Sequence, residues 1–274
     1  MGLGILNNLS SLQAQNQLYQ TSQSLQTTLY QLSSGSRINS GADDPAGLAI
    51  ANQMGANIAA LSQSVNNANT GIGIGQVQEG ALGQVTNLLN RAVTLATEAS
   101  NGGLSSSQST ALDGEYQSIV TEIAQINTNT TFNGTAVFSA TSSFNVLLTD
   151  AVTTGQISVT SVNLSTTSAG INLSGTGLAS TSSALAALSS VNAAIATVAQ
   201  DSGTVGAQIN RLSAAINVMN VQVQNLTSAQ NTITAANIPQ VVANLAKYTI
   251  LNQTGIYALT QADQSTQALL SLLH

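Results

Sequence analysis

The chain has 274 residues, of which four are basic and ten acidic, for a net charge of -6; it has no Cys, no Trp, two Pro and one His, at position 274. Four cations form no stripe that could neutralise phosphates or dock on an anionic membrane, so neither nucleic-acid binding nor polybasic membrane attachment has a driving force. Structural zinc, thiol catalysis, iron-sulfur ligation and Ser-His triads lack their atoms. Ser, Thr, Asn and Gln together number 118, so solubility rests on amides and hydroxyls. Eight aromatics in a chain of this length favour thin helical packing over a thick globular core. No stretch approaches 18 or so unbroken apolar residues, so no membrane insertion is expected. The start MGLGILNNLSSLQAQ has neither a basic n-region nor a cleavage site, so a secreted chain would need another export signal.

In chain order, Ile5, Leu9, Leu12, Leu18, Leu25, Leu29 and Leu32 form the apolar side of a first amphipathic helix. The breaker-rich SSGSRINSGADD ends it, and Asp44 followed by Pro45 is an N-cap with proline at the first helical position. The second stripe, Ala51, Met54, Ile58, Leu61, Val65, Ala68 and Ile72, has the strict three-four spacing of a narrow coiled-coil seam. A joint is expected at Gly71, Gly73 and Gly75, after which a third stripe runs from Ala81 through Leu82, Val85, Leu89 and Leu95 to Ala99 and stops at Asn101-Gly102-Gly103. A fourth uses Leu112, Tyr116, Ile119, Ile123 and Ile126. In TTFNGTAVF, Asn133-Gly134 suits a type I′ hairpin turn.

From Thr141 to Ser183 the chain is rich in Ser, Thr and Gly, with short alternations at Ile157/Val159 and Ile171/Leu173, which predicts a few exposed strands and loops. Helical spacing returns at Leu185 and is cleanest from Val205 through Leu212, Met219 and Leu226 to Ile233, with Gln230 the one polar seam position. Pro239 interrupts, and a last helix carries Val242, Leu245, Ile250, Ile256, Leu259, Leu269, Leu270, Leu272 and Leu273. Both terminal helices have more apolar face than one thin partner can cover. The expected fold is mainly α: a long antiparallel helical coiled-coil bundle built from both chain ends, with a small β-hairpin and a short β/loop-rich central insert. A subunit that polymerises, its ends ordering on assembly, fits this pattern.

Four blocks resemble bacterial flagellins, in that family's order. They are LSSGSRINSGADDPAGLAIANQM (Leu32 to Met54), EGALGQVTNLLNRAVTLATEASNG with TTFNGTAVF, GAQINRLSAAINVMNVQVQNLTSAQNTI (Gly206 to Ile233), and ILNQTGIYALTQADQSTQALLSLL (Ile250 to Leu273). The resemblance implies three parts. Residues 1–40 and 238–274 form a terminal-helix coiled coil at the filament's inner core; 41–140 and 184–237 form a helical core domain with the hairpin near 130–138; 141–183 form a short exposed variable insert. It implies an extracellular motility filament of stacked copies, export through the flagellar type III apparatus without a cleaved signal peptide, and no enzymatic activity or cofactor. Implied partners are the chain itself, an export chaperone, and cap and hook-junction proteins. Polymerisation residues would be Ile5, Leu9, Leu12, Leu18, Leu25, Leu29, Leu32, Ile250, Leu259, Leu269, Leu270, Leu272 and Leu273. Arg91, Leu95 and Glu115 match the family's contact ridge for an animal Toll-like receptor. An adaptor joining a few copies at the hook-filament junction is the alternative, and QADQSTQALLSLL favours the filament.

Other motifs have plainer readings. Gly71-Ile-Gly73-Ile-Gly75 has no preceding strand pattern, following Lys or acidic ribose partner, so it reads as relief of crowding, not a phosphate loop. Asp43-Asp44 reads as a cap, not a metal pair. Gln230 reads as a register-setting polar residue on the seam, and His274 as a solvated chain end.

Overall fold

The computed structural model describes residues 8–138, 143–147, 155–167 and 170–272. Among the described residues five helices dominate: α1 (Leu9–Ser34), α2 (Pro45–Ala99), α3 (Ser106–Asn129), α4 (Thr181–Thr234) and α5 (Ile238–Leu272). Strands β1 (Thr131–Phe132) with β2 (Thr135–Ala136), and β3 (Ser143–Leu147) with β4 (Gln156–Thr160), form two antiparallel pairs. The chain divides into two compact units, one of residues 1–56 and 225–274, the other of 57–224.

Local chemistry accounts for the helix ends. Asn8 Oδ1 accepts from the Ser11 N–H at 3.1 Å to open α1, and Gly35, at φ 67°, closes it in the left-handed conformation. Asp44 Oδ1 accepts from the Gly47 N–H at 2.8 Å, so the expected cap of α2 is present. Ser105 and Gln108 form a reciprocal capping box on α3. Asn133 and Gly134, at φ 49° and 77°, make the expected positive-φ hairpin turn between paired Phe132 and Thr135.

The expected joint at residues 71–75 is absent: α2 is one helix of 55 residues. Its glycines are places of close approach. A Cβ on Gly71 would lie 2.8 Å from Val146 and 3.1 Å from Leu212, and one on Gly75 would lie 2.8 Å from Ile209. Packing of α4 and β3 into these notches overrides the low helix propensity of glycine.

The core of the 57–224 unit is layered along these helices. Leu82, Val85, Leu89, Leu95 and Ala96 of α2 meet the same fate as Tyr116 and Ile123 of α3 and Ala184, Val191, Val205 and Leu212 of α4: all are buried. The insert, expected to be surface alone, also supplies the core. Val146, Val159, Val162, Leu164, Ile171, Leu173 and Leu178 are buried. Residues 171–173 form no strand: Ile171 ends a turn, and Asn172 and Leu173 are irregular chain.

One helix among the described residues, α4, is long and apolar enough to cross a membrane by length and composition, with mean hydropathy 1.4 in its best window. Unbroken-run reading passes over it because Ser, Thr and Asn interrupt the alanines. Its Ala184, Ala187, Val191, Ala194 and Val198 are buried at three-four spacing, the pattern of a core helix.

Candidate functional site

In the unit of residues 1–56 and 225–274, α1 and α5 pack antiparallel. Asn8 Nδ2 donates to the Ala262 carbonyl at 3.0 Å, Ser11 Oγ to Asp263 Oδ1 at 2.8 Å, and Asn252 Nδ2 to Ser22 Oγ at 3.1 Å. Leu18 lies against Gly255, where a Cβ would stand 3.1 Å from its Cδ1. At the base of the pair the linkers are stitched together. The Arg37 N–H donates to Thr234 O, the Ala236 N–H to Gly35 O at 2.9 Å, and Arg37 Nη2 to Ile233 O at 2.9 Å.

This pair buries little. The buried side chains of its unit among the described residues are Thr21, Thr28, Ile38, Ala51 and Val241. Two of these five are threonines, whose hydroxyls donate to the Gln17 and Ser24 carbonyls one turn back. The sequence-predicted residues divide accordingly. Leu18, Leu25, Leu32 and Leu259 are half-buried. Leu9, Leu12, Leu29 and Ile250 are exposed, at 64%, 54%, 48% and 63%. Ile5 and Leu273 lie outside the described residues, as do the side chains of Leu269, Leu270 and Leu272. The periodicity passes over Tyr19, Tyr30 and Tyr257, which are still more open than Leu12. Tyrosine at polar-face positions is the signal that could have found them, since its ring is apolar and its hydroxyl wet.

In the other unit, Arg91 Nη2 and Glu115 Oε1 are 2.7 Å apart, both side chains about half exposed. Leu95, named with them, is fully buried in the core. Arg91 and Glu115 alone of the three are presented at the surface. Asp43 is a turn organiser: its Oδ2 accepts from the Asn39 and Ser40 N–H groups at 3.0 and 2.8 Å. Those bonds, with the Ser40 hydroxyl, hold its carboxyl below the usual range. No group of three metal-ligating side chains occurs among the described residues. The site is thus an uncovered apolar surface on two joined helices, suited to binding other helices.

Comparison with known proteins gives this surface its context. A family model described as the bacterial flagellin N-terminal helical region matches residues 5–143, and one described as the bacterial flagellin C-terminal helical region matches 188–273. The chain is 42% identical to Flagellin 1 of Proteus mirabilis over 143 residues, 52% of this chain and 39% of that one. It is 44% identical to the phase 1 flagellin of Salmonella naestved over 135 residues, 49% of this chain and 27% of that one. The matched stretch therefore spans well under half of these relatives. The crystal structure of Bacillus cereus flagellin superposes with TM-score 0.51 at 26% identity, covering 60% of this chain and 94% of that one.

Proposed function

Because the chain belongs to the bacterial flagellin family, matched over residues 5–143 and 188–273, we propose that it is a structural subunit of the extracellular flagellar filament, polymerising through its own terminal helices. The carrying observation is the α1/α5 pair, which leaves Leu9, Leu12, Tyr19, Ile250 and Tyr257 in water while its own unit buries so few side chains. Covering each such side chain with a neighbouring copy contributes roughly 1.5–3 kcal/mol. Several per interface offset the cost of ordering two long helices.

The finer reading follows from the family. The chain leaves the cell through the flagellar type III apparatus, with an export chaperone, cap and hook-junction proteins as partners, and drives motility as part of the propeller. The terminal helices, 1–40 and 238–274, form the filament's inner core and order on assembly. Recognition by a Toll-like receptor rests on the exposed Arg91 and Glu115, with Leu95 shaping the helix from within.

The test removes part of the surface. A chain lacking residues Gln264 to His274 is expected to remain a helical monomer by circular dichroism and to add nothing to filament seeds in electron micrographs. Normal seed elongation by the truncated chain overturns the proposal. Assemblies of the intact chain that stop at a few copies favour the hook-junction adaptor instead.

A further inference from the structure

The glycines of the two longest helices fall into two groups. Gly71 and Gly75 have neighbours packed where a Cβ would be, as described above. Gly80 and Gly83 of α2 and Gly203 and Gly206 of α4 have none: a Cβ on any of the four meets nothing within 4 Å. Each weakens its helix relative to alanine and gains no close contact in return.

These four fall within about two turns of the 57–224 unit. Gly71 faces Leu212, and Gly75 faces Ile209 and Val205, so α2 and α4 run antiparallel there. Five residues further along α2, Gly80 is level with roughly residues 201–203 of α4, at about 1.5 Å per residue on each helix. Gln78 is an amide in a core position within this stretch, and Gln208, two residues beyond Gly206, borders it at the level of Gly75. Gln78 is fully buried and Gln208 nearly so. Gln78 Nε2 donates to the Val137 carbonyl at 2.9 Å, but Oε1 of Gln78 and Oε1 of Gln208 have no hydrogen-bond partner among the described residues. An unpaired buried carbonyl favours any excursion that lets water reach it. Weak helix propensity on the outside and unmet polar groups on the inside thus coincide in α2 and adjoin in α4.

We propose that this layer is a flexing joint in the helical core, the level at which α2 and α4 bend and open together while the turns on either side stay packed. It is a property of the chain itself and holds whatever the chain assembles into.

Hydrogen-deuterium exchange of the full-length monomer, read by mass spectrometry, tests it. Amides in 76–87 and 199–210 are expected to exchange about tenfold faster than those in 88–99 and 187–198 of the same helices. The variant G80A/G83A/G203A/G206A, whose added methyls enter open space, is expected to bring the two sets within about threefold. If it fails to fold, Gly80→Ala and Gly83→Ala singly are each expected to slow the 76–87 segment. Uniform exchange along both helices in the unaltered chain overturns the joint, as does a layer that stays fast after the glycines are replaced.

Discussion

Gln230 occupies a seam position between apolar Leu226 and Ile233, and its amide makes one specific contact: Nε2 donates to the Ala51 carbonyl at 3.0 Å. Gly55 makes room for it, since a Cβ there would stand 3.2 Å from the same nitrogen. A one-turn slip of α4 against α2 would strand this amide, which is how a polar seam residue fixes register. Gln230→Ala is expected to lower unfolding stability in urea by about 0.5–1.5 kcal/mol. Gly71→Leu should cost about 1–3 kcal/mol, because Val146 and Leu212 already fill the space. Gly80→Ala, with open space before it, should stabilise by about 0.4–1 kcal/mol. A Gly71→Leu chain as stable as the unaltered one would contradict the packing at the notch.

At the scale of elements, period was legible and context was not. The three-four stripes of α2 and α4, the Asp44 cap and the Asn133-Gly134 turn all follow from residues within a few positions of one another. The continuity of α2 through Gly71, Gly73 and Gly75 does not, because the side chains that fill those notches come from α4 and β3, far along the chain. Leu95 stood on an apolar stripe, and that local signal, not the motif match, located its side chain in the core. The insert misled for a related reason. Its apolar residues are too sparse for a periodic signal, yet its turns are pinned to α3: the Leu178 N–H donates to Asp113 Oδ1 at 2.6 Å, Gln117 Nε2 to the Thr176 carbonyl at 2.7 Å, and Tyr116 Oη lies 2.6 Å from Thr176 Oγ1. A single Asp on a helix surface carries no sequence sign of that role. Asp113→Ala should therefore loosen the 171–178 segment, costing about 1–3 kcal/mol for the part-buried N–H left behind. Limited proteolysis checks it: the variant is expected to be cut first within 171–178, and unchanged cleavage would show that Tyr116 and Gln117 suffice.

For the molecule as a whole, low charge decides how stability responds to solution conditions. Four basic residues limit conventional ion pairs to four per chain, and the Arg91–Glu115 pair is half exposed, worth about 0.2–1 kcal/mol and less in salt. Hydroxyls hold their bonds within the helices instead; Thr86, Thr97, Thr121 and Thr204 each donate to the carbonyl one turn back, and such bonds do not titrate. Among the described residues two carboxyls shift, with opposite sign. Asp43, held low by the N–H groups of Asn39 and Ser40, contributes stability above the ordinary carboxylate pKa and loses it as pH falls through its lowered value. Asp201, pushed up by burial, carries a penalty at neutral pH that protonation relieves as pH falls through its raised value. Asp43→Asn should consequently lower the melting temperature at pH 7, and Asp201→Asn should raise it, with both differences shrinking in acid. The two effects oppose each other in the unaltered chain. Its melting temperature is therefore expected to change by less than about 4 °C between pH 7 and about 4, the unperturbed carboxylate range. It should change as little between about 0.05 and 1 M sodium chloride, where surface ion pairs are screened out. Differential scanning calorimetry over both ranges measures this. A steep loss of stability on acidification would place several of the ten carboxylates in structural contacts and would refute a fold held by apolar seams, amides and hydroxyls.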